Sequence, residues 1–264
     1  MRKASLTMLA CATLLSTGAA LAVPTAQQKC DYTRITAWKA YASCVNTVIA
    51  KDAKGLFPSS SDVYLAFGKC RHNYFKKWAS LQGKAYAGST CDLGLADRFT
   101  DNVDGSVTDN LSGLVWELKD ELDNVADFNN PHDADNSYSW STGVPWAENG
   151  GTFTSFLTDA TTGLNVTGFA GASGWRIPTL AELQTIMLDF ACTKALCTCP
   201  SSPCVDPALD PANTELFAYW SATTYTHTGF SAESAWVVDF GSGVYLGPAL
   251  KSIAYPVRAV RGGL

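Results

Sequence analysis

Two runs of apolar residues at helical spacing dominate the first third of the chain. They cover residues 35–49 and 63–81, and in both runs the apolar positions recur every three or four residues, as on one face of a helix. The segment 55–62 between them combines helix breakers with residues that favour a helix N-terminus. The pattern therefore predicts a hairpin of two antiparallel helices.

A signal peptide is predicted ahead of this hairpin. Residues 1–22 begin with basic side chains, continue as a short apolar run and end with Ala-Leu-Ala. We therefore expect cleavage after Ala22 and a secreted, periplasmic or cell-surface protein. A lipid anchor on Cys11 is the alternative interpretation. No second apolar run approaches the roughly 20 residues of a membrane helix, so we expect no transmembrane segment.

Eight cysteines remain after residue 22, and export would place them where thiols oxidise to disulfides. Cys44 and Cys70 are nearly equidistant from the turn of the hairpin, while Cys30 and Cys91 lie at its open end. We therefore predict the pairs Cys44–Cys70 and Cys30–Cys91.

The other four cysteines are Cys192, Cys197, Cys199 and Cys204. Two connectivities remain open: Cys192–Cys197 with Cys199–Cys204, or Cys192–Cys199 with Cys197–Cys204. A zinc site is the alternative interpretation, but zinc requires reduced thiols, so we favour a disulfide-stapled surface loop.

Charge divides the chain into two blocks. Residues 23–94 hold 10 basic and 4 acidic side chains, whereas residues 95–264 hold 7 basic and 20 acidic ones. We therefore divide the chain into a signal peptide (1–22), a helical hairpin (23–94) and a second domain (95–264). The basic hairpin could dock on an anionic envelope polymer; a solvated helix face is the interpretation that we favour. We expect no nucleic-acid partner.

The second domain has the pattern of an α+β fold. An Asp-Gly turn within residues 98–116 separates two short strands. Thr179 and Glu182 are spaced as a capping box, which predicts a helix to about residue 188. Segments 235–240 and 255–263 alternate apolar and polar residues as half-buried strands do.

Five segments of this domain occur in an order that closely resembles the Lcl C-terminal domain family, named after the Legionella collagen-like adhesin. They are RFTDNVDGSVTDNLSGLVW (98–116), GWRIPTLAEL (174–183), YWSAT (219–223), AWVVDF (235–240) and YPVRAVRGG (255–263). Residues 117–120 (ELKD) and 132–140 (HDADNSYSW) resemble a common variant of the family, and the resemblance covers about residues 95–263. It implies an exported or surface-exposed bacterial protein. The founding adhesin binds sulfated glycosaminoglycans, but the acidic charge of this domain would repel a sulfated polymer.

A fainter resemblance links the Trp-Arg-Ile-Pro segment and the C-terminal Val-Arg-Ala-Val-Arg segment to the C-type-lectin-like fold of formylglycine-generating enzymes. It implies an irregular antiparallel sheet with helices. It does not imply the chemistry of those enzymes, since a fold alone does not determine function.

A possible calcium site lies in the first of these segments. Asp101, Asn102, Asp104 and Asp109 cluster around a glycine, and calcium prefers six to eight oxygen ligands. The spacing departs from the EF-hand pattern. A hairpin turn, in which Asp and Asn side chains bond their own backbone, is the interpretation that we favour.

The tryptophans fall into two groups. Trp116, Trp175, Trp220 and Trp236 belong to the family segments, and we expect them in the core. The best candidates for contact with a ligand lie in less regular segments: Trp140, Trp146, Tyr225 and Phe230. We expect the arginines of the family segments, Arg176, Arg258 and Arg261, to pair with Glu182 or Asp239.

Catalytic motifs are absent from the sequence, and the three histidines are scattered. The sequence therefore predicts a non-enzymatic recognition module that binds a glycan or a surface protein, without a cofactor unless calcium is bound. The alternatives are an enzyme on a lectin-like scaffold, in which His132 would lie close to a nucleophile, and a structural component of the envelope.

Overall fold

A computed structural model describes residues 23–81, 89, 91, 98–188, 202–227, 232–241 and 245–263. The proposed signal peptide with Cys11, and also Cys192, Cys197, Cys199 and Phe230, lie outside the described residues. Among the described residues the fold is mixed, with 35% helix and 21% strand. No helix in the described ranges is both long enough and apolar enough to cross a membrane.

The predicted helical hairpin is confirmed. Helix α1 covers Ala26–Ala53 and helix α2 covers Ser60–Ala79. Thr25 begins α1 with a capping box, and the Ser59 hydroxyl accepts a hydrogen bond at the start of α2. Gly55, between the helices, has a φ of +64°, which a side chain would disfavour.

Both predicted disulfides of the hairpin are confirmed. Cys44–Cys70 joins the middles of the two helices, and Cys30–Cys91 closes the open end. The closed loops span 26 and 61 residues. Loop-closure entropy then stabilises the folded chain by about 3.5 and about 4 kcal/mol respectively.

Within the described residues, nine strands form three small antiparallel sheets. One sheet has the order β1-β2-β3-β9, the second pairs β4 with β8, and the third has the order β5-β6-β7. The strands are β1 (Phe99–Asp101), β2 (Ser106–Asp109), β3 (Leu114–Glu117), β4 (Ser137–Ser139), β5 (Ala218–Thr224), β6 (Ser234–Asp239), β7 (Tyr245–Leu250), β8 (Ala254–Pro256) and β9 (Val260–Gly262).

Short helices connect the strands. They are α3 (Gly151–Thr154), α4 (Leu164–Thr167), α5 (Leu180–Leu183) and 3₁₀ turns over Phe169–Gly171, Gln184–Ile186, Pro207–Leu209 and Pro211–Asn213.

Two elements differ from the sequence prediction. The capping box of Thr179 and Glu182 is present, but α5 tightens into a 3₁₀ turn and ends by Ile186. It ends there because Met187 is extended and bridges to Val205. The segment 255–263 forms two strands in different sheets, since β8 pairs with β4 and β9 pairs with β3.

The hairpin shares a hydrophobic core with the second domain. Phe67 of α2 meets Trp236 of β6 edge to face, with 5.6 Å between ring centroids. The Tyr41 hydroxyl donates to the Ala181 carbonyl at 3.0 Å, and Arg71 donates to the Gln184 side chain at 2.6 Å. These contacts place α5 and β6 of the second domain against the inner face of the hairpin.

The four tryptophans of the family segments are buried, as predicted. Trp220 donates from Nε1 to the Tyr138 carbonyl at 2.9 Å, which ties β5 to β4. The side chain of Asn165 holds the backbone of Trp175 through two hydrogen bonds of 2.8 Å. These tryptophans therefore join separate elements of the fold.

Candidate functional site

A cleft of about 270 Å³ opens where the turn of the hairpin meets the third sheet. The hairpin supplies one wall and the second domain supplies the other. Its lining includes Asp52, Phe57, Tyr64, Tyr225, His227 and Trp236. We call this the interface cleft.

Stacked aromatic rings form the domain side of the interface cleft. Tyr225 follows β5 directly, and its amide donates to the Ser234 carbonyl of β6. Its ring lies parallel to His227, with 5.9 Å between centroids, and edge-on to Trp236 at 4.9 Å. The indole Nε1 of Trp236 is buried and has no hydrogen-bond partner within the described part of the chain. The sheet and the hairpin thus hold three rings in fixed positions.

An acid–imidazole pair joins the two walls. Asp52 Oδ1 of α1 lies 3.4 Å from Nδ1 of His227. Burial raises the pKa of the Asp52 carboxyl, and the neighbouring imidazole only partly opposes this rise. The ionised carboxylate is therefore poorly solvated, and a ligand group that donates a hydrogen bond to it would be stabilising.

Among the predicted ligand contacts, Tyr225 lies in the interface cleft and Trp140 does not. Trp140 is 2% exposed and donates from Nε1 to the Ser221 carbonyl. The ammonium of Lys251 lies 3.8 Å from the centre of its ring. Trp140 is thus a core residue, and the expectation of an accessible loop position for it does not agree with the structure.

Trp146 is half-buried, with a φ of +63°. Its carbonyl accepts a hydrogen bond from Lys251, which also donates to Thr224 beside Tyr225. Lys251 therefore connects Trp146 to the end of β5. The role of Trp146 in binding stays a prediction.

The residues predicted to bind calcium separate into a turn and an ion pair. Asp101 accepts a hydrogen bond from the Val103 amide, and Asp104 accepts from the Ser106 amide and hydroxyl. Asn102 donates to the Ser106 hydroxyl at 3.0 Å. The bonds to the Val103 and Ser106 amides are those of Asx turns, in agreement with the interpretation of this segment as a hairpin turn.

Asp109 is fully buried and bonds Arg98 through both carboxylate oxygens, at 3.2 and 3.0 Å. Asp109 is therefore the acidic partner of Arg98 in an ion pair. In the described ranges no group of three or more His, Cys, Asp or Glu side chains has an arrangement that could hold a metal ion.

A buried ionic cluster surrounds Glu117 at the end of β3. One carboxylate oxygen lies 2.9 Å from both Lys119 Nζ and His132 Nδ1, and the other accepts from the Ala259 amide at 2.8 Å. Burial alone would raise the pKa of Glu117, but Lys119 and His132 hold it below its usual value. In the structure His132 pairs with this carboxylate.

The arginines of the family segments have different partners. Arg176 pairs with Glu182 through two bonds of 2.7 and 2.6 Å, as predicted. Within the described part of the chain Arg258 has no carboxylate partner: it is fully buried and donates to the Glu117 carbonyl and to Thr214. Arg261 lies over the ring of Trp175 at 5.3 Å. The prediction of an ion pair is therefore wrong for Arg258, because β3 offers a backbone carbonyl instead.

Sequence reasoning missed Asp52 and His227. One signal was available for Asp52, which follows the buried Val48 by four residues and so lies on the inner face of α1. A carboxylate on a buried helix face requires a partner. No comparable signal marked His227, since only the packing of the hairpin against the sheet brings it to Asp52.

Comparison with known proteins identifies the family of the second domain. Searches among curated proteins and among solved structures give no significant match to this chain. Residues 105–261 match the Lcl C-terminal domain, which is more than half of the chain. The protein therefore belongs to the Lcl C-terminal domain family.

Proposed function

We propose that this protein is an exported recognition module that binds a glycan through the interface cleft. Membership in the Lcl C-terminal domain family supports an adhesin-like surface module. The paired cysteines of the hairpin are consistent with an extracellular location. Cleavage after Ala22 and a C-type-lectin-like arrangement of the sheets are further parts of this proposal.

The observation that carries the proposal is the composition of the interface cleft. Sugars bind where an aromatic face covers their C–H groups and polar side chains bond their hydroxyls. The cleft combines the aromatic rings of Tyr64 and Tyr225 with the Asp52–His227 pair. Its volume of about 270 Å³ accommodates one sugar ring at the end of a chain. A peptide side chain is the second candidate for the same space.

Binding can be tested with a glycan array, followed by titration of the best ligand against the full chain. Tyr64→Ala removes an aromatic ring from the wall, and Asp52→Asn removes the carboxylate charge with little change in shape. We expect each substitution to weaken binding by about tenfold or more, as for a central contact residue. Tyr32→Ala is the matched control, because Tyr32 lies on the same hairpin and is 73% exposed.

Two results would contradict the proposal. One is an array without any bound glycan while a peptide library yields ligands for the cleft. The other is glycan binding that Tyr64→Ala and Asp52→Asn leave unchanged, since the ligand would then bind elsewhere.

A catalytic function is the second candidate, and the pairing of His132 with Glu117 is the observation that favours it. A carboxylate that orients an imidazole is a common device in acid–base catalysis. Turnover of a glycan by the wild-type protein that His132→Gln abolishes, with unchanged folding, would favour an enzyme over a binding module.

A further inference from the structure

The hairpin carries a second groove, which meets the interface cleft at Phe57. Two adjoining cavities of about 320 and 570 Å³ lie between α1 and α2, above the Cys44–Cys70 disulfide. Their shared floor is apolar, with Ala40 beside the disulfide. We call this the outer groove.

Lysines without counter-charges border the outer groove. Lys51 and Lys69 flank one of its cavities and Lys77 flanks the other, and all three are exposed. No carboxylate lines either cavity, and no described residue forms an ion pair with any of the three lysines. The groove therefore combines an apolar floor with a positive rim.

A loop of the second domain combines exposed apolar side chains with negative charges. Residues 120–128 carry four exposed carboxylates, and Val125 and Phe128 are 67% and 57% exposed among them. The carboxylates are Asp120, Glu121, Asp123 and Asp127. The sequence has no lysine or arginine between Lys119 and Arg176, so these charges are not balanced locally. We call this segment the acidic loop.

Hydrogen bonds give the acidic loop a defined shape. The Asp135 carboxylate accepts from the amides of Asp123, Asn124 and Val125, at 2.9, 2.7 and 3.2 Å. Phe128 is held on one side by an edge contact with Tyr138, 5.5 Å between centroids. Little ordering cost therefore opposes the docking of this loop on a partner.

We propose that the outer groove of one molecule binds the acidic loop of a second copy. The lysine rim matches the carboxylates, and the apolar floor matches Val125 and Phe128. A free polyanion would match the rim but not the apolar floor, whereas the acidic loop matches both. Because the two surfaces differ, the contact is head-to-tail, and each pair leaves one free groove and one free loop. The molecules therefore assemble into head-to-tail rings or filaments.

Sedimentation velocity of the full chain tests this assembly. We expect species larger than the monomer at about 0.05 M salt and their dissociation at about 0.5 M, because salt screens exposed charges. Lys51→Glu/Lys69→Glu reverses the rim, and Asp123→Lys/Asp127→Lys reverses the loop. Each variant alone should associate at least about tenfold more weakly than the wild type. Mixing the two variants should restore association, since each then offers a complementary surface to the other.

Controls separate this contact from general charge effects. Lys29→Glu/Lys76→Glu makes the same change in net charge at exposed lysines outside the outer groove and should leave association intact. Phe128→Ala should weaken it without any change in charge, and far-UV circular dichroism checks that every variant is folded.

A monomer at low salt would overturn the proposal, and so would a mixture of reversed variants that fails to associate. Binding of dextran sulfate through Lys51 and Lys69 by a chain that stays monomeric would identify the groove as a polyanion site instead.

Discussion

The hairpin and the family domain are stabilised by different means. The hairpin consists of two helices of 28 and 20 residues. One disulfide joins the two helices, and the other closes their open end. The domain consists of strands of three to seven residues, which buried polar side chains such as Glu117 and Arg258 connect to distant backbone groups. Regular helices satisfy their own backbone, whereas short strands leave backbone groups that side chains must satisfy.

The two regions nevertheless form one core, because Phe67 and Tyr41 of the hairpin contact β6 and α5 of the domain. The two regions therefore differ in how they are stabilised although they share a core, and variants in each region test this difference.

Removal of the Cys30–Cys91 disulfide should have the largest effect. The double substitution Cys30→Ala/Cys91→Ala should lower the free energy of unfolding by about 4 kcal/mol, because a closed loop of 61 residues is released in the unfolded chain. Urea denaturation provides the measurement. Cys44→Ala/Cys70→Ala is the matched control, with a shorter loop and an expected loss of about 3.5 kcal/mol.

Two probes make this experiment informative about the shared core. Far-UV circular dichroism reports mainly on the helices, and tryptophan fluorescence reports largely on the domain. Coincident transitions are expected for a single cooperative unit. A domain transition that stays at the wild-type urea concentration would show that the halves unfold separately.

Substitution of Glu117 should have a slightly smaller effect, confined to the domain. Glu117→Gln should lower the free energy of unfolding at pH 7 by about 3 kcal/mol, because it leaves Lys119 buried without its counter-charge. Glu121→Gln, at an exposed carboxylate nearby, should change stability by less than about 0.5 kcal/mol. Equal losses for the two variants would contradict a structural role for the buried cluster.

The pH dependence of Glu117 gives a separate prediction. Its pKa is lower in the folded protein than its ordinary value of 4.5, so its contribution is complete above pH 4.5 and is lost as the pH falls through the folded pKa. The stability difference between wild type and Glu117→Gln should therefore shrink below pH 4.5. Thermal melting between pH 3 and 7 measures it, and a constant difference would contradict the assignment.

Substitutions in the two capping boxes should have the smallest effect on stability. Thr179→Ala should lower the free energy of unfolding by about 1 kcal/mol, because it removes the capping box of α5. The Glu182 of this box also bonds Arg176. Thr25→Ala removes the same motif at the exposed start of the long helix α1, where fraying limits the loss to a few tenths of a kcal/mol. Differential scanning calorimetry of both variants measures the contrast; a larger loss for Thr25→Ala would reverse it.

Local patterns predicted the hairpin, its two disulfides and the core tryptophans correctly. Helical periodicity and distance from a turn are local quantities, so the sequence alone predicts the Cys44–Cys70 disulfide. The partner of Arg258 was not predictable in this way, since it is a carbonyl at the end of β3, 141 residues away in the sequence.

The interface cleft illustrates the same limit. The sequence predicts Tyr225 as a ligand contact because it lies outside regular segments. The same signal at Trp140 is misleading, since Trp140 is buried between contacts to Lys251 and Ser221. The meeting of Asp52 with His227 depends on how the hairpin docks, which no short segment encodes.

One wall of the interface cleft comes from outside the region that defines the family. A relative that carries a different N-terminal extension would lack the wall that contains Asp52 and Tyr64. Exchange of the attached hairpin would then alter one wall of the interface cleft without any change in the family domain. Grafting this hairpin onto another family member should transfer half of the proposed binding site in one step.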